Sequence, residues 1–210
     1  MFHPFPEDRQ SVIERVQKYV QLDPLFLDTE TTGLSNMDEI CEIAIVDLKG
    51  EVLLNSLVRP TKRIPPSTSA IHGITDETVK DAPTFGDLLA RLEQIICGRT
   101  ILVYNSEFDE GKLERSATAN GCKINAAFWS QTTDPYESNW KDVMMLYASF
   151  YGEWNEYYHE YRWQRLSTAA RQCGIELPEG IHRAHADAEL TRRIVLHMAE
   201  QKPIQTTMFE

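Results

Sequence analysis

The sequence has no long apolar run. Its continuous apolar stretches are short, residues 43–46 and 101–104 among them. No transmembrane helix is expected, since one needs about 20 apolar residues in succession. The start of the chain lacks a basic head followed by an apolar stretch, so no secretory leader is expected. Cysteine is scarce. Cys41, Cys97, Cys122 and Cys173 are widely separated and form no C-x-x-C pair. They read as reduced thiols in a cytoplasmic protein. Basic charge is also in short supply, with 21 Lys and Arg against 32 Asp and Glu, a net charge of −11. That counts against a broad non-specific nucleic-acid grip, which is normally basic. A local contact stays open, because clustered carboxylates become neutral or positive once divalent ions bind. Tight engagement of DNA or RNA would then call for help from a partner.

What remains is a chain of ordinary globular composition. Its 210 residues fit one domain with a proper core. Residues 9–22 carry Val12, Ile13, Val16, Tyr19 and Val20 at helical spacing. Residues 39–48 and 52–58 read as strands joined at Lys49-Gly50. With the strand that follows Pro24 they suggest an antiparallel meander. Pro60, Pro65 and Pro66 predict a loop. Residues 84–96 are an amphipathic helix, 101–104 a short buried strand, and 109–120 a helix. Residues 140–151, 165–173 and 184–200 also read as helices. A meander followed by strand–helix alternation argues an α/β domain with a mixed sheet flanked by helices. Active residues of such sheets gather at strand ends and neighbouring helix starts.

The run Asp28-Thr29-Glu30-Thr31-Thr32-Gly33-Leu34 lies at such a strand end. Side chains two apart on a strand share a face, so Asp28 and Glu30 project together and Thr29 points the other way. Two carboxylates held this close repel unless a cation sits between them. Oxygen ligands favour Mg²⁺ or Mn²⁺ over zinc. Two further acids answer this pair. Asp109 closes the run Tyr104-Asn105-Ser106-Glu107-Phe108-Asp109, and Asp187 closes His182-Arg183-Ala184-His185-Ala186-Asp187. Each stands at a predicted helix start, where a carboxylate also serves as a cap. Four such groups can hold two ions, which clamp the attacking and leaving oxygens of a phosphodiester.

These residues resemble the DnaQ-like 3′→5′ exonucleases of the DEDDh branch. The match is carried by Asp28-x-Glu30, by Asp109, and by His182 placed five residues ahead of Asp187. Supporting strings are Ala70-Ile71-His72-Gly73-Ile74-Thr75, Asp81-Ala82-Pro83-Thr84-Phe85 and Tyr161-Arg162-Trp163-Gln164-Arg165-Leu166. Tyr104 stands where the family often has histidine, and Glu107 adds a charge of no assigned role. The resemblance runs from about Pro24 to Met198 and implies an RNase H-like fold; the expected domain is residues 1–202, with 203–210 as a flexible tail. It implies Asp28, Glu30, Asp109 and Asp187 as ligands of two Mg²⁺ or Mn²⁺ ions. It implies that Thr31 and Glu30 hold the 3′-terminal hydroxyl, that Leu34 wedges against the last base, and that His72 sits at the site rim. Leu34 also suits plain turn packing, and His72 a structural hydrogen bond.

A histidine near neutral pKa can take the proton of the attacking water. His185 and Asp187 are about 200° apart around a helix axis and face apart. His182, in the loop before that helix and at the family's position, is the expected base. Arg183 either steers a phosphate or faces solvent. The aromatic segment 147–163 suits core packing or base stacking. Gln205, Met208 and Phe209 resemble the short peptide by which bacterial replication and repair proteins grip the sliding clamp, a tether that would raise local concentration. The expected substrate is a single-stranded DNA 3′ end. An RNA 3′ end is the alternative within the same chemistry, and an idle clamp- or polymerase-bound scaffold is the alternative outside it.

Overall fold

A computed structural model describes residues 8–129, 138–178 and 182–201. The tail with Gln205, Met208 and Phe209 lies outside the described residues, as does the 1–202/203–210 boundary. Helix α1 spans Arg9–Gln21 and starts at Asp8, whose side chain accepts from the Ser11 N–H. Strands β1 (Leu25–Thr31), β2 (Ile40–Asp47) and β3 (Val52–Leu57) form the expected antiparallel meander. Two short helices follow, α2 (Pro66–His72) and α3 (Asp76–Val79). The prolines predicted only a loop there. Pro66 instead takes the first helical position, where its missing N–H costs nothing.

Helix α4 (Phe85–Ile96) opens on a reciprocal cap between Thr84 and Asp87. Strand β4 (Ile101–Val103) runs parallel to β1, and α5 (Ser106–Ala119) follows it. The helix expected over 140–151 divides in two. Its first residues form edge strand β5 (Trp140–Asp142), parallel to β4, and only then does α6 (Val143–Tyr151) begin. The Trp140 indole packs under the sheet and donates to the Phe128 carbonyl. Asp142 stops the strand by capping α6 at the Met145 N–H. A small hairpin, β6 (Trp154–Asn155) and β7 (Glu160–Tyr161), leads to α7 (Leu166–Gln172) and α8 (Ala184–Glu200).

The main sheet has the order β3-β2-β1-β4-β5. It is mixed, as expected, and covered on both faces, which explains the unbroken burial of β2. One core holds Phe26, Val46 and Leu102 against Val12, Tyr147, Ile194 and Val195. The other holds Leu25, Leu27, Ile43 and Val103 against Leu92, Leu113 and Phe128. Alternation along β1 therefore decides the site. Phe26, Asp28 and Glu30 face the layer of α1, α6, α7 and α8, while Leu25, Leu27 and Thr29 face α4 and α5.

Candidate active site

Asp28 and Glu30 point the same way from β1, and α8 brings Asp187 to them. One carboxylate oxygen from each lies within 4.8 Å of the other two. Burial raises the pKa of all three. Asp28 is pushed well above the carboxylate range, by burial first and then by the charges of Asp109, Asp187, Glu30 and Glu42. Glu30 is pushed up to about 8 by burial and by Asp187, Glu42 and Asp109. Asp187 is raised by burial, against the opposing pull of His182. An all-oxygen donor set under this mutual repulsion fits a divalent cation such as Mg²⁺ or Mn²⁺.

Asp109 enters from the opposite layer. Helix α5 starts at Ser106, three residues earlier than the sequence suggested, so Asp109 is inside the first turn and is no cap. It is buried, and its Oδ1 accepts from the Thr29 hydroxyl at 2.7 Å. Thr29, pointing away from Asp28 as expected, thereby fixes the fourth acid. Asp109 is not in the tight three-carboxylate group, yet its charge acts on Asp28. Burial raises its own pKa and the bond from Thr29 opposes that. Asp187 is likewise inside its helix and not at its cap.

His182 stands directly ahead of α8, exposed, with φ at 69°. Its backbone N–H and its charge both act on Asp187. The open ring and the neighbouring carboxylate suit a proton acceptor at the edge of the acid cluster. His185, two residues from Asp187, is half-buried on α8.

The substrate-side residues divide. Leu34 is 86% exposed on the loop after β1, free of the turn packing that was its alternative. Thr31 is buried, its hydroxyl donating to the Gly33 carbonyl. His72 is buried with both ring nitrogens engaged. Nδ1 accepts from the Ile74 N–H at 3.0 Å, so Nε2 carries the proton and points to the Thr31 carbonyl at 3.2 Å. Burial lowers its pKa. These are the bonds of the structural alternative for His72, which braces the Thr31 carbonyl.

Three residues escaped the sequence reading. Glu42 of β2, 2% exposed, lies opposite Glu30. Its carboxylate accepts from both Nε and the Nη2 of Arg183 and from the Ala184 N–H at 2.9 Å. Arg183 is thus held by Glu42 while its side chain stays half exposed, and the first N–H of α8 is capped by an acid from β2. The available signal was a glutamate inside an otherwise apolar strand. Lys112 of α5 is buried, and its Nζ donates to the carbonyls of Gly33 (3.0 Å) and Ser35 (2.6 Å). Asp38 accepts from the Ser35 N–H and closes the same loop. A Cβ on Gly33 would stand 2.6 Å from the Asp38 carboxylate, which explains glycine there.

Fold and acid cluster together define a nuclease of the RNase H-like class. The family described as "Exonuclease", of RNase T type, matches residues 25–195, and the chain belongs to it. The protein is a metal-dependent exonuclease of the DnaQ-like group, acting on nucleic-acid ends. Among its relatives is the uncharacterized exonuclease CP81 of Escherichia phage 186, 36% identical over 192 residues, covering 90% of this chain and 95% of that one. The DNA polymerase III subunit epsilon of Treponema pallidum is 33% identical over 182 residues, covering 83% of this chain and 77% of that one. Among solved structures, E. coli exonuclease I in complex with a dA16 oligonucleotide superposes with a TM-score of 0.67 at 21% identity. That match covers 85% of this chain but only 41% of exonuclease I, so this chain spans about two-fifths of that protein. Among the described residues no helix is long and apolar enough to cross a membrane.

Proposed function

We propose that the protein removes nucleotides in the 3′→5′ direction from single-stranded DNA and releases nucleoside 5′-monophosphates. The observation that carries this is the convergence of Asp28, Glu30 and Asp187 within 4.8 Å, next to His182. Asp28, Glu30, Asp187 and Asp109 would hold two divalent ions, which supply charge neutralisation of the phosphodiester and acidify water when bound. His182 accepts the proton of the attacking water at its ring. The water oxygen joins the terminal phosphorus, the bond from phosphorus to the 3′ oxygen breaks, and the shortened chain keeps that oxygen. The exposed Leu34 meets the terminal base, while the Thr31 backbone, braced by His72, holds the 3′-terminal hydroxyl.

DNA is favoured by the relatives, one a DNA polymerase III subunit and one solved with a deoxyadenylate oligomer. The same likeness supports a role in replication or repair, and with it a place in the cytoplasm. Gln205, Met208 and Phe209 would tether the enzyme to a sliding clamp, offsetting the weak hold of an acidic protein on DNA. The test is digestion of 5′-labelled DNA and RNA oligomers with Mg²⁺ or Mn²⁺. Free 3′ ends should shorten, and Asp28→Ala should be inert. Equal cleavage of a blocked 3′ end would sink the proposal, and preference for RNA would reassign the substrate. Clamp pull-down unchanged by Met208→Ala with Phe209→Ala would remove the tether.

A further inference from the structure

The aromatic segment 147–163 splits in the structure. Tyr147 and Phe150 are core. Tyr151 ends α6, and the later aromatics lie on and beside the β6–β7 hairpin. Trp154 packs edge-on against Tyr161 across β6 and β7, with centroids 5.2 Å apart. Asn155 Oδ1 accepts from the N–H groups of Tyr157 and Tyr158, and the Arg162 N–H donates to the Glu153 carbonyl. On this frame Tyr157, Tyr158 and Trp163 are 83%, 66% and 57% exposed. Beside Tyr158 and Trp163 is an open depression of about 240 Å³, lined also by Asn155, Glu160 and Arg162. That is below the usual range for drug-sized ligands and suits one flat heterocycle. Two aromatic faces supply stacking, and an amide, a carboxylate and a guanidinium supply hydrogen bonds to a base edge.

The hairpin is joined to the catalytic edge of the sheet by short links. Leu27 pairs with Val103, so the next residues, Asp28 and Tyr104, are neighbours on one face. The Tyr104 hydroxyl donates to the Gln164 carbonyl at 2.7 Å, and Trp163 precedes Gln164. A chain whose 3′ end lies at Asp28 thus has aromatic surface close by for the nucleotides behind it. Charge points the same way. A net charge of −11 counts against a broad basic grip, and Arg162 is paired with Glu153. Stacking of bases on exposed rings adds to whatever hold the phosphates provide and is tolerant of sequence.

Taking the proposed exonuclease activity as its basis, we infer that the β6–β7 hairpin with Trp163 is a stacking platform for unpaired bases upstream of the cleaved nucleotide. Tyr158 and Trp163 hold one base in the depression, and Tyr157 extends the surface.

The test compares the wild type with Tyr158→Ala, Trp163→Ala and Trp163→Phe on three probes. They are the p-nitrophenyl ester of thymidine 5′-monophosphate, a thymidine dinucleotide and a longer oligothymidylate. The wild type should gain in kcat/KM from dinucleotide to oligomer. Each alanine variant should lose that gain through KM, with binding about 5- to 150-fold weaker per ring removed. Ester hydrolysis and oligomer kcat should stay unchanged, and Trp163→Phe should restore the oligomer KM. Unchanged oligomer KM in both alanine variants overturns the platform while leaving the exonuclease reading intact. Absence of activity on every probe in the wild type overturns the exonuclease reading itself. A concentration-dependent dimer lost in Trp163→Ala, with oligomer KM unchanged, would make the hairpin a self-association surface instead.

Discussion

Glu42 stands directly across from Glu30 in the β1–β2 ladder, and the guanidinium of Arg183 binds Glu42. Two buried acids side by side are tolerated because one is neutralised from the helix that carries Asp187. Arg183→Ala strands the Glu42 charge inside the cluster. We expect a loss of roughly 1–3 kcal/mol, less than for a fully buried pair because the Arg183 side chain is half exposed. Urea unfolding measures it. Because Arg183 adjoins His182, kcat should fall as well. An unchanged kcat would show that the pair serves stability alone.

Asp28→Asn removes one of the mutually repelling charges of the site. The metal-free variant should melt at a higher temperature than the metal-free wild type. Addition of Mg²⁺ or Mn²⁺ should raise the melting temperature of the wild type and leave the variant nearly unmoved. Hydrolysis should vanish. A variant that is still stabilised by the ion as strongly as the wild type would place the ion elsewhere.

His182→Ala should separate chemistry from metal binding. Loss of a proton acceptor costs about 10²- to 10⁴-fold in kcat. Stabilisation by divalent ions should persist, since the carboxylates are intact. Equal loss of both properties would mean that the exposed loop residue supports the fold of the site.

The acid cluster also predicts an unusual pH profile. In the folded, metal-free protein Glu30 titrates near 8 against an ordinary value of 4.5, and Asp28 is shifted the same way. Between those limits the folded state binds more protons than the unfolded state. Stability therefore rises as pH falls from about 8 towards 4.5, and is lost as pH rises through the folded value. Thermal unfolding at several pH values without metal should show this slope, and saturating Mg²⁺ should flatten it. A flat metal-free profile would contradict the repulsion within the site.

Lys112→Met should release the loop that presents Leu34. Two charge-assisted hydrogen bonds to Gly33 and Ser35 disappear, a net loss of roughly 2 kcal/mol. KM should rise more than kcat falls, because the carboxylates stay in place. Crystallography of the variant would check whether the loop of residues 33–38 moves.

Much of this protein was legible in its residues, and the gaps have physical causes. Asp28 and Glu30 were readable because a strand's period of two is rigid. The two helices carrying Asp109 and Asp187 were readable from apolar spacing, although α5 began earlier because Asn105 accepts a left-handed turn, φ 70°. Strand β5 was missed because Trp140 fits helical spacing as well as strand spacing, and only pairing with β4 decides between them. Glu42 and Lys112 were missed, and the two readings of His72 left open, for one reason. Each serves a carbonyl, a guanidinium or a helix end that lies far away in sequence, so no local pattern marks it.

Asp109 reaches the site from the α5 layer and Asp187 from the α8 layer, with the sheet between them. Opening either layer alone withdraws an acid before the other core is disturbed. An ion held by both would fasten the two halves together and bind only the complete fold. On the proposed mechanism a half-folded chain would keep its acids apart and leave nucleic acid uncut.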